Sequence, residues 1–116
     1  GGFHLAVDAE NEQAVVRLRR RKHREEKPLA LMAYDIDHVR RFAHVDDEEM
    51  AVLSSPQRPI LVLGKRARQT LAPSVAPNNR FFGVMLPYTP LHYLLLAHDF
   101  TALVMTSGRA MRFSCW

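Results

Sequence analysis

The chain has 116 residues, of which 47% are hydrophobic and 24% are charged, and its formal net charge is +4. This length accommodates one domain, and the composition is that of an ordinary globular protein. No apolar run approaches the ~20 residues that cross a bilayer, and no signal-peptide pattern opens the sequence. One cysteine, Cys115, excludes an internal disulfide framework. We therefore expect a cytoplasmic protein that does not contact a membrane.

Strands and helices are predicted to alternate along the chain. Extended segments or strands are predicted at residues 1–5, 29–34, 59–63 and 101–105, and helices at residues 11–21, 35–43, 46–53 and 89–95. Asn11 (or Asp8), Asp46 (or Asp47) and Thr89 are candidate N-caps, because their side chains accept hydrogen bonds from free backbone amides. Residues 69–80, rich in proline and asparagine, are expected to form an ordered surface loop. The alternation predicts an α/β fold with a twisted mixed or parallel sheet, whose central strands are residues 29–34 and 59–63.

The positive charges are concentrated near the N-terminus. Seven of the 16 basic residues fall within residues 17–27. Such a cluster indicates either a polyanionic partner, nucleotide phosphate or nucleic acid, or a solvated helix face. Arg19 and Arg20 are expected to lie on that solvated face.

Three members of the cluster, Lys22, Arg24 and Lys27, are predicted to lie on a loop between a helix and a strand. Their spacing allows them to converge on one anion, with arginine forking onto two oxygens and lysine acting as a point charge. The preceding helix presents the negative end of its dipole here. Phosphates would therefore be held by side chains rather than by helix amides.

Several common sites are not indicated by the sequence. Neither the P-loop pattern nor the glycine pattern of dinucleotide-binding folds occurs, and the six histidines lack zinc-site spacing. The acidic residues 46–49 are typical of a helix start rather than of a metal cluster. Cys115 has no activating neighbour, and His92 is expected to pack near the surface rather than to catalyse.

Several ordered motifs together resemble one family. They are residues 1–9 (GGFHLAVDA), 22–32 (KHREEKPLALM), 55–60 (SPQRPI), 71–77 (LAPSVAP), 83–92 (GVMLPYTPLH) and 106–109 (TSGR). The chain resembles the YrdC-like family, in the variant found in the hydrogenase maturation carbamoyltransferases. The resemblance implies a partial YrdC-like nucleotide-binding domain at residues 1–108, truncated at both ends, and a divergent tail at residues 109–116.

The resemblance also implies a chemistry. Members of this variant use ATP, accompanied by Mg²⁺, and carbamoyl phosphate to form a carbamoyl adenylate. The carbamoyl group then passes to a hydrogenase maturation protein, toward the cyanide ligands of a nickel–iron hydrogenase. By this resemblance Lys22, Arg24, Lys27, Thr106 and Ser107 bind the nucleotide, and no catalytic residue is identified.

Three alternatives remain open. A threonylcarbamoyl-adenylate synthase of tRNA modification is a close enzyme rival, although residues 86–92 (LPYTPLH) argue against it. A non-catalytic module that binds double-stranded RNA by shape and phosphate contacts is another. The third is an inactive fragment, because Arg109 stands where the family has an asparagine that helps to hold the nucleotide. Because of Arg109, the isolated chain is expected to bind ATP weakly at best and to form no detectable adenylate. It is also expected to be marginally stable, because strands that should neighbour residues 29–34 and 59–63 are expected to lie outside residues 1–116.

Overall fold

The computed structural model describes residues 3–22 and 29–107, with the backbone alone described at residues 3–5, 22 and 107. The strands are β1 (Phe3–Asp8), β2 (Ala30–Met32), β3 (Leu61–Gly64), β4 (Phe81–Met85) and β5 (Leu103–Ser107). The helices are α1 (Glu12–Lys22), α2 (Ile36–Val39), α3 (Asp47–Leu53) and α4 (Pro90–Leu96), with a 3₁₀ turn at Pro73–Val75. The α/β alternation predicted from the sequence is confirmed.

The five strands form one mixed sheet in the order β1-β5-β2-β4-β3. β2 and β4 are parallel, whereas β5 is antiparallel to both β1 and β2, and β3 is antiparallel to β4. β2 is central, as predicted. β3 lies at an edge of the described sheet, so the prediction that residues 59–63 form a central strand, which placed a neighbouring strand outside this chain, stays a prediction. Its apolar residues Leu61 and Leu63 pack into the core from one face, which an edge strand can do with a single partner.

β4 was not predicted from the sequence, although it lies between β2 and β3. Its apolar run, residues 81–86, is interrupted by Gly83 and flanked by asparagines and a proline. Those flanking residues are typical of turns, so the run does not stand out as a strand by composition. Its backbone nevertheless pairs on both sides, with Ala30 opposite Gly83 and Leu61 opposite Val84.

Successive side chains along the central strands point to opposite faces of the sheet, and each face has its own apolar cluster. The larger cluster receives α1, α2 and α3 through Val15, Leu18, Val39 and Leu53. The smaller cluster, on the other face, receives α4 through Leu96. Both clusters draw on β5, with Val104 in the larger and Leu103 and Met105 in the smaller.

Short-range caps fix where the helices begin. The Asn11 side chain accepts from the amide of Ala14 at 3.0 Å, and Thr89 Oγ1 accepts from the amide of His92 at 3.1 Å. Asp46 and Glu49 form a reciprocal capping box at the start of α3. The predicted helix starts are thereby confirmed, and residues 46–49 form a helix start as expected.

Candidate functional site

The end of β5 and the start of β2, which adjoin the two predicted nucleotide-binding segments in the sequence, lie side by side in the sheet. In the antiparallel β2–β5 ladder Leu31 is opposite Val104. The start of β2 therefore lies at the same end of the ladder as Thr106 and Ser107 at the end of β5. In the sequence, residues 23–28 come immediately before Leu29, which precedes β2. Lys22 is the last residue of α1, while Arg24 and Lys27 lie outside the described residues.

Thr106, near the end of β5, is buried, with 3% of its surface exposed. Its hydroxyl Oγ1 has no hydrogen-bond partner within residues 3–22 and 29–107. A buried hydroxyl without a partner costs on the order of 1–3 kcal/mol, so native structures usually give such a group a partner or a ligand. Within the part of the chain that the structure describes, Thr106 is thus a buried polar group without a hydrogen-bond partner, beside the start of β2.

Arg19 contradicts its predicted position. Only 6% of its surface is exposed, and its guanidinium donates from Nε to the Ser74 carbonyl at 2.5 Å and from Nη2 to the Val75 carbonyl at 2.8 Å. The prediction of a solvated Arg19 is therefore wrong, whereas Arg20 is exposed as expected. The signal was present in the helical spacing, because Arg19 lies four residues after Val15 and next to Leu18 on the buried stripe of α1.

Lys65 makes a second cationic contact with the same turn. Its Nζ donates to the Ala76 carbonyl at 2.5 Å and lies 5.0 Å from the centroid of the Phe82 ring. Burial lowers the pKa of Lys65 below its usual range. No sequence motif marked this lysine, since its partner is a backbone carbonyl 11 positions away.

Residues 69–76 form less of a surface loop than predicted. Four of their side chains belong to the larger apolar cluster, namely those of Leu71, Ala72, Val75 and Ala76. From the first turn of α1, Glu12 accepts from the Ser74 amide at 2.9 Å and from the Ser74 hydroxyl at 2.5 Å. The segment is an ordered part of the core that carries polar contacts on its outer side.

At the other end of β2, a short polar cluster follows the strand. Asp35 caps α2 and its carboxylate lies 2.6 Å from His38 Nδ1. Burial alone would raise the pKa of Asp35, but the hydrogen bonds from the His38 ring and amide, with nearby positive charge, bring it below its usual value. Tyr34 stacks at an angle against His38 and edge-to-face against Tyr93. These contacts account for the cluster as a helix cap with aromatic packing.

His92 is buried, with 6% of its surface exposed, and packs edge-to-face against Tyr88 at 4.6 Å between ring centroids. Its Nδ1 accepts from the amide of Tyr88 at 3.4 Å. Burial lowers the pKa of His92, which favours the neutral ring that this contact needs. The packing role expected for His92 agrees with this environment.

Residues 3–22 and 29–107 contain neither a metal-binding cluster nor a membrane-spanning helix. No group of three or more histidine, cysteine, aspartate or glutamate side chains is placed to hold a metal ion there. No helix in that part of the chain combines the length and apolar character required to span a bilayer.

Comparison with known proteins gives the chain a family. A family model described as telomere recombination, Sua5/YciO/YrdC, matches residues 1–112. The chain belongs to the Sua5/YciO/YrdC family. This membership confirms the YrdC-like resemblance inferred from the sequence motifs, together with the fold that it implied.

Within the family, the chain is similar to the carbamoyltransferase HypF. It is 50% identical over 108 residues to "Carbamoyltransferase HypF" of Rhodobacter capsulatus, and 44% identical over 108 residues to that of Synechocystis sp.. Each match covers 93% of this chain and 14% of the relative, so the chain spans about one-seventh of the relatives' length. A crystal structure of full-length HypF "in the phosphate- and nucleotide-bound form" superposes with a TM-score of 0.87 at 47% identity, covering 97% of this chain and 15% of that one.

Proposed function

We propose that this chain is the ATP-binding part of a carbamoyltransferase that forms carbamoyl adenylate from carbamoyl phosphate and ATP. The carbamoyl group would pass to an acceptor protein in the maturation of the cyanide ligands of a nickel–iron hydrogenase. The observation that carries the proposal is the buried hydroxyl of Thr106, which has no hydrogen-bond partner within residues 3–22 and 29–107 and lies at the end of β5 beside the start of β2. Residues 22–27, the basic segment, precede this start of β2 in the sequence. The HypF relatives, one of them solved with phosphate and nucleotide, support the proposal.

In this proposal the basic segment and the end of β5 bind different parts of ATP. Lys22, Arg24 and Lys27 neutralise the phosphates of ATP, while Thr106 and Ser107 contact the nucleotide from the end of β5. Mg²⁺ accompanies the nucleotide, bound mainly by phosphate oxygens and water, as is usual for this ion.

The chemistry assigned to these residues is electrostatic. In this reaction carbamoyl phosphate would first be cleaved by water to carbamate and inorganic phosphate. A carbamate oxygen would then attack the α-phosphorus of ATP, so that the bond to pyrophosphate breaks and negative charge moves onto this leaving group. Fixed cations that meet this charge lower the barrier without a protein nucleophile. Lysine and arginine at three positions supply such cations.

Titration of ATP and Mg²⁺ into the full-length protein, followed calorimetrically, tests the site. Lys22→Ala or Lys27→Ala should each weaken ATP binding about tenfold or more, because each loses a charge-assisted contact of about 1.5–3 kcal/mol. Arg20→Ala is the matched control, since Arg20 is exposed on α1 and should have little effect. Equal losses at all three positions would indicate diffuse binding of polyanions, and pyrophosphate release without carbamoyl phosphate dependence would contradict the proposed reaction.

A further inference from the structure

A single backbone carbonyl binds residues on both sides of the basic segment. The carbonyl oxygen of Val75 accepts from Arg19 Nη2 at 2.8 Å and from the amide of Leu29 at 3.1 Å. A carbonyl oxygen has two lone pairs, so it can satisfy both donors. Arg19 lies in the last turn of α1, and Leu29 immediately precedes β2. The carbonyl of Val75 thus ties the end of the helix to the start of the strand.

The guanidinium is held by more than this one contact. Its Nε donates to the neighbouring carbonyl of Ser74 at 2.5 Å, so the planar group spans two consecutive peptide units. A rigid fork of donors suits this geometry, and an ammonium group cannot reproduce it. The side chain is also buried, with 6% of its surface exposed, which strengthens hydrogen bonds of a charged donor.

The turn that receives Arg19 is itself fixed from two other sides. Glu12, one residue into α1, binds both the amide and the hydroxyl of Ser74. Lys65, which follows β3, donates to the carbonyl of Ala76. The turn therefore cannot shift freely with the guanidinium, and Arg19 holds the end of α1 against a stationary partner.

We infer that Arg19 is a positioning residue for the proposed nucleotide site, because it sets the spacing between the end of α1 and the start of β2. The inference rests on the proposed function. Leu29 lies two residues before Leu31, and Thr106 lies two residues after its partner Val104, so both are at the same end of the β2–β5 ladder. Arg19 thereby holds the residues that flank the basic segment in place relative to the buried hydroxyl of Thr106. Fixing these ends before ATP arrives reduces the ordering cost of binding its phosphates.

The test uses Arg19→Lys in the full-length protein, with Arg20→Lys as the matched control on the exposed face of the same helix. Affinities for ATP with Mg²⁺ and for adenosine are measured alongside the melting temperature. Arg19→Lys should weaken ATP binding about fivefold, as expected for the loss of a forked hydrogen bond. Adenosine affinity should change less than about twofold, because adenosine lacks the phosphates that the basic segment would hold. Arg20→Lys should leave both affinities unchanged.

A purely structural role gives a different result. It would lower the melting temperature and weaken ATP and adenosine equally, and that outcome overturns the inference, as does unchanged ATP binding by Arg19→Lys. Should Arg19→Lys not fold, Ser74→Ala, which removes only the hydroxyl contact with Glu12, should show a smaller ATP-selective loss, and the absence of any loss overturns the inference. Failure of the unaltered protein to bind ATP refutes the proposed function and the inference together, whereas the other outcomes bear on Arg19 alone.

Discussion

Thr106→Val tests whether the buried hydroxyl of Thr106 is kept for a ligand. Valine preserves the shape of the side chain and its β-branching and removes only the hydroxyl. Burying a hydroxyl without a partner costs about 1–3 kcal/mol in proteins, so removing it should raise the free energy of unfolding by about 1 kcal/mol or more. For a domain of about 100 residues, 1 kcal/mol corresponds to an increase of roughly 4–8 °C in melting temperature.

The measurement is chemical denaturation of the chain without nucleotide, followed by far-ultraviolet circular dichroism. Val104→Thr provides the mirror-image control, because Val104 lies two residues earlier on β5 and is fully buried in the same strand. Introducing a hydroxyl there should lower the free energy of unfolding by a similar amount. If Thr106→Val raises the free energy of unfolding and Val104→Thr lowers it, both positions favour an apolar side chain in the absence of nucleotide.

The same variant should lose affinity while it gains stability. If Thr106 donates or accepts one hydrogen bond with the nucleotide, Thr106→Val in the full-length protein should weaken ATP binding about twofold to tenfold. Destabilisation without nucleotide would refute the reasoning, since it would mean that the hydroxyl has a partner in the folded protein. Increased stability with unchanged ATP affinity would remove Thr106 from the proposed site.

Two further predictions concern stability. Asp46→Ala should lower the free energy of unfolding by about 1 kcal/mol, because it removes the capping box with Glu49, whereas Asp47→Ala, one residue into α3, should cost less in the same denaturation experiment. Because burial lowers the pKa of His92, the unfolded chain binds a proton near pH 6.5 that the folded chain resists, so stability should fall as pH drops from about 7 through the folded-state pKa. His92→Gln should remove this part of the pH dependence. The assignment would be contradicted if the free energies of unfolding of the two proteins changed equally between pH 8 and pH 5.

Features encoded by neighbouring residues were predictable from the sequence. Asn11, Asp46 and Thr89 begin helices because each side chain bonds an amide three residues ahead, so the signal lies within one turn. The family resemblance likewise rested on strings of adjacent residues, and the family match confirms it. The site residues inferred from that resemblance stay predictions, of which Thr106 now has a structural observation beside it.

Features that depend on distant partners were not predictable in this way. The charge of Arg19 led to the prediction that it is exposed to solvent. Its actual partners are two backbone carbonyls that lie 55 and 56 residues away in the sequence. The apolar residues of β3 are typical of a central strand. Its position in the described sheet is instead decided by which strands pair, and there it lies at an edge. The helical spacing of Arg19 with Val15 was the one local hint available.

The place of β5 in the sheet has a consequence for how the chain folds. β5 is the last of the described strands in the sequence, yet it lies between β1 and β2, and it is the strand with which β1 pairs in the described sheet. A nascent chain that ends before Leu103 therefore holds β1 without this partner, and β2 without one of its two neighbours. Pairing of β1 with β5 joins the first and last of the described strands, and contacts of such long sequence separation slow folding. Insertion of β5 is therefore expected to be the late, rate-limiting step, after the β2-β4-β3 unit has formed.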